Sequence, residues 1–367
     1  MAAKTLPVNL RIVYSLKRVL LYAVLAIGVF LATFPFIWMV LTSFKNYAEA
    51  IAVPPTLVPA AWSQRVHVIT YTMIRHPVLA IALFVWALLG VGIAWKLRKG
   101  WRSAIYFVMH VALFFVAWAL GLFGSALKWN ALWLETASAL GYELKPFWTN
   151  YGEAWQVAPF GRYFLNSFIM STATPLLIIL TGAPAAYAFA RMRFPGKDTL
   201  FLVFLATMMI PDEVILIPNY VTVSRLKWID TYQALILPWI VNVVTIFFLR
   251  QFFKSIPDDL YDAAVLDGAN HLRFLWNVAL PLSLPALVST ALFNFLGSWN
   301  AVQWPLYVTN SPNMRPLMVG MKYFSDEFGM QVQLHNAAAT FTTIPVIILF
   351  LFVQKQFIEG IARTGLK

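Results

Sequence analysis

The stretch "DAAVLDGANHLRFLWNVALPLSLPA", residues 262–286, joins an acidic segment of small side chains to a long apolar run. Asp258 and Asp259 lie just before it, so that four aspartates fall close together. Only 11% of the residues in the whole chain are charged, and this concentration of acids therefore requires an explanation. The explanation depends on what the apolar run crosses.

The composition indicates a membrane. The chain has 367 residues, of which 60% are hydrophobic, and its mean hydropathy is +0.72. Soluble domains carry about 25% charged residues, more than twice the fraction found here. The net charge of +12 is better explained by basic cytoplasmic loops that face anionic lipid headgroups than by nucleic-acid binding. The chain has no cysteine, which excludes disulfides and thiolate metal ligands.

Eight apolar segments are long enough to cross a bilayer. They lie at about residues 19–41, 78–95, 104–123, 164–190, 199–222, 232–249, 274–298 and 337–354. The first is longer than the apolar core of a signal peptide, which has about 7 to 15 residues, so we expect it to remain as a span. The predicted fold class is an all-α integral membrane protein, a polytopic helical bundle. An even number of spans places both termini on the same side.

Lysine and arginine predict the orientation. If the N-terminus is cytoplasmic, the segments on that side hold most of the 27 basic residues, and these segments are mostly short. The positive-inside rule favours this arrangement. It places both termini and the acidic stretch around residue 262 in the cytoplasm.

Prolines interrupt several of the predicted spans. Examples are Pro211, Pro238, Pro281 and Pro285. A proline removes a helical hydrogen bond, and at membrane depth the break must be compensated by protein or by a water-filled cavity. The prolines are typical of a bundle that moves, although membrane helices in general also carry more proline than soluble ones.

The acidic stretch predicts a short helix of about three turns. Ser255 stands three residues before Asp258, as in a capping box, and the aspartates complement the helix dipole. Gly268 is a natural C-terminal stop. A helix this short is marginal alone. It either lies at the interface against its own bundle and lipid, or it docks into a groove on a cytoplasmic partner.

The same stretch resembles the cytoplasmic "EAA" loop of permease subunits in binding-protein-dependent ABC importers. Asp262 stands where that family usually has Glu, and Ala263, Ala264, Asp267, Gly268 and Ala269 match the rest of the helix and its turn. Other segments are similar in the same order, among them "AAYAFARMRFPGK", "MMIPDEVILIPNY", "FNFLGSWN" and "IPVIILFLFVQKQFIEGI". The resemblance covers about residues 15–50 and 147–367. It points to the subfamily of the second maltose permease, which serves oligosaccharides and glycerol phosphates.

The resemblance implies a mechanism and a set of partners. They are a second permease subunit in a heterodimer, two copies of a cytoplasmic ATPase, an extracytoplasmic solute-binding protein, a sugar substrate and membrane lipid. The location implied is a bacterial-type plasma (inner) membrane. In this family the loop helix sits in a cleft of the ATPase, and closure of the ATPases moves the spans between inward-open and outward-open states.

The chain itself lacks the nucleotide-binding motif G-x-x-x-x-G-K-[ST]. Its Gly196-Lys197 pair is followed by Asp198 and has Arg191 where the first glycine is required. We therefore predict that this chain is not an enzyme and has no cofactor of its own. ATP and magnesium are expected in the partner ATPase.

The resemblance also suggests how the chain is divided. Residues 1–59 form the N-terminal tail, the first span and the start of an external loop, and residues 147–367 form the permease core with the EAA-like loop at about 255–272. Residues 60–146 depart from the family, because two additional apolar runs are joined there by the basic turn "KLRKGWR". The prediction is thus a six-span ABC type I importer permease core plus an inserted two-helix hairpin, about eight spans in all. The hairpin packs at the rim of the pore or contacts a further membrane partner.

Amides and aromatic rings within the spans are candidates for contact with a sugar, because they combine hydrogen-bonding groups with ring faces. The candidates are Asn219, Tyr220, Trp239, Asn242, Asn294, Trp299 and Asn300. Interhelical hydrogen bonds would explain the amides equally well. Asp212 and Glu213 would be functional acids if they were buried at membrane depth, but Pro211 and Pro218 favour a wetted loop near the outer mouth. In the tail, Arg363 and Lys367 either reach the ATPase or anchor the chain at the headgroups, and no metal site is predicted.

Two other classes were compared with the importer. A membrane-embedded enzyme would need a convergent catalytic set, but the five histidines are scattered and no H-E-x-x-H or G-x-S-x-G motif is present. An ion-coupled secondary transporter would use intramembrane acids and would not need the loop helix. Within the importer class, glycerol phosphate or another polar solute is the alternative to a sugar.

Overall fold

The computed structural model describes residues 8–75, 138–140, 149–322, 324 and 331–364. Two compact units divide the chain, Met1–Asn150 and Tyr151–Lys367. The regular secondary structure of the described residues is helical throughout. The predicted spans 78–95 and 104–123 lie outside the described residues, as does the basic turn between them.

The first unit contains helices α1 (Val8–Ser43), α2 (Tyr47–Ala50) and α3 (Ala60–Arg75). The apolar part of α1 has no buried side chain, as expected of a span that faces lipid or another protein. Its C-terminal end is fixed by Asn150, whose amide donates to the carbonyl oxygens of Ser43 and Lys45 at 2.7 Å each. These bonds satisfy carbonyl groups that a helix end leaves without partners.

Lys45 is buried directly after the first span. Its ammonium donates to the carbonyl oxygen of Thr56 at 2.5 Å and lies 4.2 Å from the centre of the Trp38 ring. Burial lowers the pKa of Lys45, and the nearby Glu49 carboxylate opposes that effect. The lysine thus joins the end of α1 to the chain that follows it.

The second unit contains the remaining helices. They are α4 (Thr149–Val157, which begins at the unit boundary), α5 (Phe160–Arg191), α6 (Lys197–Ala206), α7 (Asp212–Arg225), α8 (Tyr232–Ile236), α9 (Val243–Ser255), α10 (Asp258–Leu266), α11 (His271–Phe274), α12 (Leu280–Leu282), α13 (Leu284–Trp299), α14 (Gln303–Val308), α15 (Leu317–Gly320) and α16 (Val332–Thr364). Short 3₁₀ or π turns lie at Thr207–Met209, Leu237–Trp239, Leu275–Ala279 and Pro312–Met314.

Three helices in the described residues are long and apolar enough to span a membrane alone: Lys17–Ser43, Phe160–Arg191 and Val332–Lys355. Three bent pairs bring the number to as many as six if each pair is one span. The pairs are Lys197–Met209 with Asp212–Arg225, Tyr232–Trp239 with Val243–Ser255, and His271–Leu282 with Leu284–Trp299. These six correspond to the six predicted spans that fall on described residues.

The bends follow the prolines only in part. The chain bends by 96° before Asp212, where Ile210 and Pro211 are extended, and by 79° at Ser283, between Pro281 and Pro285. Pro175 and Pro184, however, lie inside α5 without ending it. A proline therefore breaks a span only where the flanking residues also leave the helical conformation.

Helix α5 is the centre of the second unit. Its N-terminal half packs into a cluster with Trp299, Leu317 and Ala337, and its C-terminal half packs into another with Leu249 and Phe253. At the first cluster α15 approaches so closely that a β-carbon at Gly320 would overlap the ring of Tyr163. Helix α5 thus connects the two ends of the unit.

A buried asparagine fixes a loop to the N-terminal half of α5. The side-chain N–H groups of Asn166 donate to the carbonyl oxygens of Asn313 (2.8 Å) and Arg315 (3.0 Å), and its side-chain oxygen Oδ1 accepts from Tyr232 Oη at 2.7 Å. Ser167 Oγ accepts from the backbone N–H of Leu317 at 2.8 Å. Since these polar groups have partners, they can be buried at low cost.

Candidate coupling surface and solute path

The acidic stretch forms helix α10, but its N-terminus is not a capping box. The residue before the helix is Pro257, which has no side chain that can accept a hydrogen bond, and Ser255 Oγ donates instead to the carbonyl oxygen of Phe252 at 2.8 Å. The capping expectation is wrong because Ser255 completes the end of α9. Asp258 and Asp259 occupy the first turn of α10, where carboxylates stabilise the dipole.

The C-terminus of α10 is a Schellman motif at Gly268, as the sequence predicts. The N–H of Ala269 donates to the carbonyl oxygen of Ala264 at 2.8 Å, and that of Gly268 to Val265 at 2.9 Å. Gly268 has φ +77°, a conformation that costs a residue with a β-carbon about 1 kcal/mol or more. No atom lies within 4 Å of the position of such a β-carbon, so the constraint on Gly268 is conformational.

Arg191, the last residue of α5, attaches the start of α10 to the bundle. Its guanidinium donates to the carbonyl oxygens of Phe253, at 3.0 Å, and Ile256, and it forms an ion pair with Asp258. The Arg191 side chain is 10% exposed. One side chain therefore holds the end of α9, the turn after it and the first residue of α10.

Two tyrosines and a histidine form a second attachment. Tyr187 on α5 and Tyr261 on α10 each bring a hydroxyl oxygen to 3.1 Å from His271 Nδ1. The Tyr261 ring is stacked on the imidazole with the ring centres 5.2 Å apart. These side chains come from α5, α10 and α11. A displacement of α10 would therefore break its contact with His271, which is itself held by α5 through Tyr187.

The outward surface of α10 is exposed. None of its residues is buried, and Leu266 is 89% exposed, with Leu260 and Val265 also open. Tyr261 and Ala264 face the bundle and pack against its core. Among the described residues, Asp259, Asp262 and Asp267 form no ion pair. We define the coupling surface as residues 258–270. It combines exposed apolar side chains with acids free for a partner.

A cavity of about 770 Å³ lies in the second unit, where two of the broken spans face α5, α13 and α14. Its size is within the range of small-molecule sites, about 300 to 1,000 Å³. Four of the predicted path residues line it: Asn219, Trp239, Asn242 and Asn294. The structure thus brings together residues from three of the predicted spans.

Some side chains of the cavity wall are held by the bundle. The Asn294 amide donates to Thr245 Oγ1 (2.9 Å) and to the carbonyl oxygen of Thr290 (2.7 Å). Asn242 Oδ1 caps α9 by accepting from the N–H of Thr245 at 2.8 Å. Trp239 meets the Trp304 ring edge to face at 5.7 Å. These contacts fix the wall while leaving other polar atoms on it unengaged.

The other predicted path residues lie away from the cavity wall. Trp299 is buried, where it stacks on Phe295 and meets Phe164 edge to face. Asn300 ends α13, and Tyr220 is a surface residue of α7. Asp212, by contrast, lines the cavity from the first turn of α7, with an exposed side chain. In the tail, Arg363 belongs to the end of α16, and Lys367 lies outside the described residues.

Several residues of both regions gave no sufficient signal in the sequence. Thr174, Ser298 and Gln303 line the cavity, and Tyr187 and His271 hold the coupling surface. Threonine and serine are common in membrane helices, so their type alone does not mark a path. In the described part of the chain, no group of three or more His, Asp or Glu side chains is arranged to hold a metal ion.

Comparison with known proteins identifies the family of this chain. The sequence profile described as "Binding-protein-dependent transport system inner membrane component" matches residues 178–362, about half of the chain. The chain is 32% identical over 225 residues to the sn-glycerol-3-phosphate transport system permease protein UgpE of Yersinia pestis bv. Antiqua (strain Antiqua). The aligned region covers 59% of this chain and 80% of that protein.

A second relative and a solved structure agree with this result. The arabinooligosaccharides transport system permease protein AraQ of Bacillus subtilis (strain 168) is 34% identical over 206 residues, covering 56% of this chain and 73% of that protein. A chain of a bacterial ABC transporter involved in the import of the acidic polysaccharide alginate has the same fold, with a TM-score of 0.62 at 18% identity over 97% of this chain and 100% of that chain. This chain therefore belongs to the family of inner membrane components of binding-protein-dependent transport systems.

Proposed function

We propose that this chain is one of two permease subunits of an ATP-driven importer for a carbohydrate. A second permease completes the path, two copies of a cytoplasmic ATPase bind the coupling surface, and an extracytoplasmic binding protein delivers the solute. The observation that carries the proposal is helix α10, whose outward side is exposed and whose other side is attached to α5 through Arg191 and through His271.

The two attachments of α10 support a role in transmitting force. A partner that binds Leu266 and Val265 would displace a helix that is attached at two points. Its first turn forms an ion pair with Arg191, and Tyr261 in its middle contacts His271. Both attachments lead to the C-terminal turns of α5. Helix α5 runs on to the cavity wall, where Met170, Thr174 and Ile178 belong to it. Motion of the ATPase would therefore reach the solute path through one continuous helix.

The energy for transport would come from the ATPase, since the chain has no G-x-x-x-x-G-K-[ST] motif to bind a nucleotide. ATP and magnesium belong to that partner in this proposal. The excess of lysine and arginine in one set of loops supports an orientation with the coupling surface and both termini in the cytoplasm.

A carbohydrate is supported by the amide and indole side chains of the cavity wall. The names of the relatives refer to arabinooligosaccharides and sn-glycerol 3-phosphate. Both are polar solutes that need hydrogen-bonding groups along the path.

The proposal is tested by pull-down of the importer's ATPase, coexpressed with this chain and solubilised with it in detergent. Leu266→Glu places a charge on the most exposed apolar side chain of the coupling surface, and we expect it to lower ATPase recovery at least about tenfold. Gly268→Val should do the same by unwinding the Schellman turn, whereas Gly268→Asn tolerates a positive φ and should retain the ATPase.

The matched control is Leu226→Glu, at the exposed C-terminal end of α7. It should leave ATPase recovery unchanged, and recovery of the permease itself should be equal for all variants. Full retention of the ATPase by both Leu266→Glu and Gly268→Val would show that α10 is not the docking helix.

A further inference from the structure

The polar groups on the wall of the cavity are almost all uncharged. They are the hydroxyls of Thr174, Thr207 and Ser298 and the amides of Asn219, Asn242, Asn294 and Gln303. Among the described residues that line the cavity, no lysine, arginine or histidine occurs, and the single charged group is the carboxylate of Asp212. The wall of this subunit therefore offers no cation to an anionic solute.

Several of these groups have no partner within the described part of the protein. The hydroxyl of Thr174 has no hydrogen-bond partner among the described residues, and Thr174 is only 3% exposed. The side chains of Asn219 and Gln303 make no hydrogen bond to a described residue, and the carbonyl oxygen of Asn294 accepts none from one. Asn219 is half-buried and Gln303 is exposed, so a ligand in the cavity can reach their amides and form hydrogen bonds with them.

The polar groups on the cavity wall indicate the chemistry of such a ligand. Hydroxyl and amide groups act both as donors and as acceptors, which matches the hydroxyls of a sugar or polyol. The indole of Trp239 adds an apolar ring at the same wall. A phosphate or carboxylate would lose its hydration shell without gaining a cationic partner, and Asp212 would repel it.

We propose that this cavity selects an uncharged polyhydroxylated solute, such as a neutral oligosaccharide, and rejects anionic solutes such as a sugar phosphate or an oligouronate. The proposal rests on the function proposed above, because it assigns the substrate class of the same path. It separates this chain from relatives and structural neighbours whose names refer to anionic solutes. Specificity of this kind depends as much on the missing cation as on the groups that are present.

The electrostatic part of the proposal can be measured without transport. The chain contains no cysteine, so Ser298→Cys introduces a single thiol at the cavity wall. We expect this thiol, in the assembled importer in membranes, to react faster with a cationic than with an anionic methanethiosulfonate reagent. The ratio should exceed that for 2-mercaptoethanol by roughly threefold or more, and Asp212→Asn should remove the excess. A ratio below that of 2-mercaptoethanol would overturn the proposal.

The substrate part is measured by ATP-dependent uptake into proteoliposomes that contain the complete importer. Labelled arabinotriose, sn-glycerol 3-phosphate and a trigalacturonate are offered separately, each at a concentration that saturates the binding protein. Uptake of the uncharged sugar alone supports the proposal, and faster uptake of either anion overturns it. If none of the three is taken up, the function proposed above fails for these solutes, and the thiol ratio still decides the charge preference of the cavity.

Discussion

The side chains that hold the coupling surface to the bundle and the side chains of the cavity wall differ in how many of their polar groups have partners. Around the coupling surface, Arg191, Tyr187 and His271 are engaged by other residues of the chain. At the cavity, Thr174 and Asn219 lack partners within the described residues. Satisfied polar contacts make a region rigid, whereas unsatisfied ones leave binding capacity for a ligand. The difference supports the proposal that the first region transmits force and the second recognises a solute.

The two regions also differ in how the backbone produces them. The coupling surface is a regular helix closed by a Schellman turn at Gly268. The cavity is lined by two places where a span is interrupted, around Ile210 and around Val241. An interruption exposes backbone groups and side chains that a continuous helix would cover, and in a membrane it is tolerated beside a water-filled cavity. The rigid helix and the broken spans are connected by α5.

The largest expected effect comes from removing the side chain that holds the end of α9 and the turn before the coupling surface. Arg191→Ala leaves the carbonyl oxygens of Phe253 and Ile256 without this donor. We expect it to destabilise this end of the bundle by about 2 kcal/mol or more and to abolish uptake. The ion pair itself adds little, because the Asp258 side chain is 87% exposed. Thermal unfolding in detergent and ATP-dependent uptake measure the two effects.

The matched control for this prediction is Arg193→Ala, two residues further on. Arg193 is exposed, and no ion pair or hydrogen bond of its side chain occurs among the described residues. Its loss should leave unfolding and uptake within error of the unmodified protein. If Arg191→Ala behaved like Arg193→Ala, the contacts of Arg191 would not be needed to transmit force from the coupling surface to α5.

A smaller effect is expected at the cavity. Thr174→Val keeps the shape of the side chain and removes the hydroxyl that has no partner, so folding should be unaffected or improved. If that hydroxyl contacts the solute, the KM for uptake should rise roughly two- to tenfold with little change in the maximal rate. Initial rates of uptake over a range of solute concentrations separate the two parameters.

Ser171→Ala provides the control for Thr174→Val. Ser171 is buried on the same helix, its hydroxyl also lacks a partner among the described residues, and it is not part of the cavity wall. Its removal should leave KM unchanged. An equal rise of KM in both variants would mean that the effect comes from packing of α5 and not from contact with the solute.

The smallest effect is expected for Asp262→Glu on the coupling surface. Asp262 is exposed and forms no ion pair with another described residue, so its carboxylate is free to contact a partner. The longer side chain restores the residue usual in the family and should leave ATPase recovery and uptake equal or slightly higher. A loss of uptake would show that the partner groove fits the shorter aspartate.

The sequence predicted much of this architecture for identifiable reasons. Long apolar runs mark spans because the bilayer requires them, and Gly268 marks the end of α10 because few other residues adopt its backbone conformation. The capping role of Ser255 was predicted wrongly, since the spacing of a motif does not show which helix end a hydroxyl will join. The placement of Asn219 and Asn294 on a common wall depended on how the spans are bent.

The sequence by itself determined the apolar spans, the family and the position of the short acidic helix, because these depend on local composition and spacing. Only the tertiary structure decided that Arg191 holds this helix, that Trp299 is buried in a core while Trp239 lines a cavity, and that the hydroxyl of Thr174 has no partner among the described residues. Those properties depend on which residues meet across the bundle. Contacts between residues far apart in the chain are set by the bends and packing of whole helices, which no local pattern records.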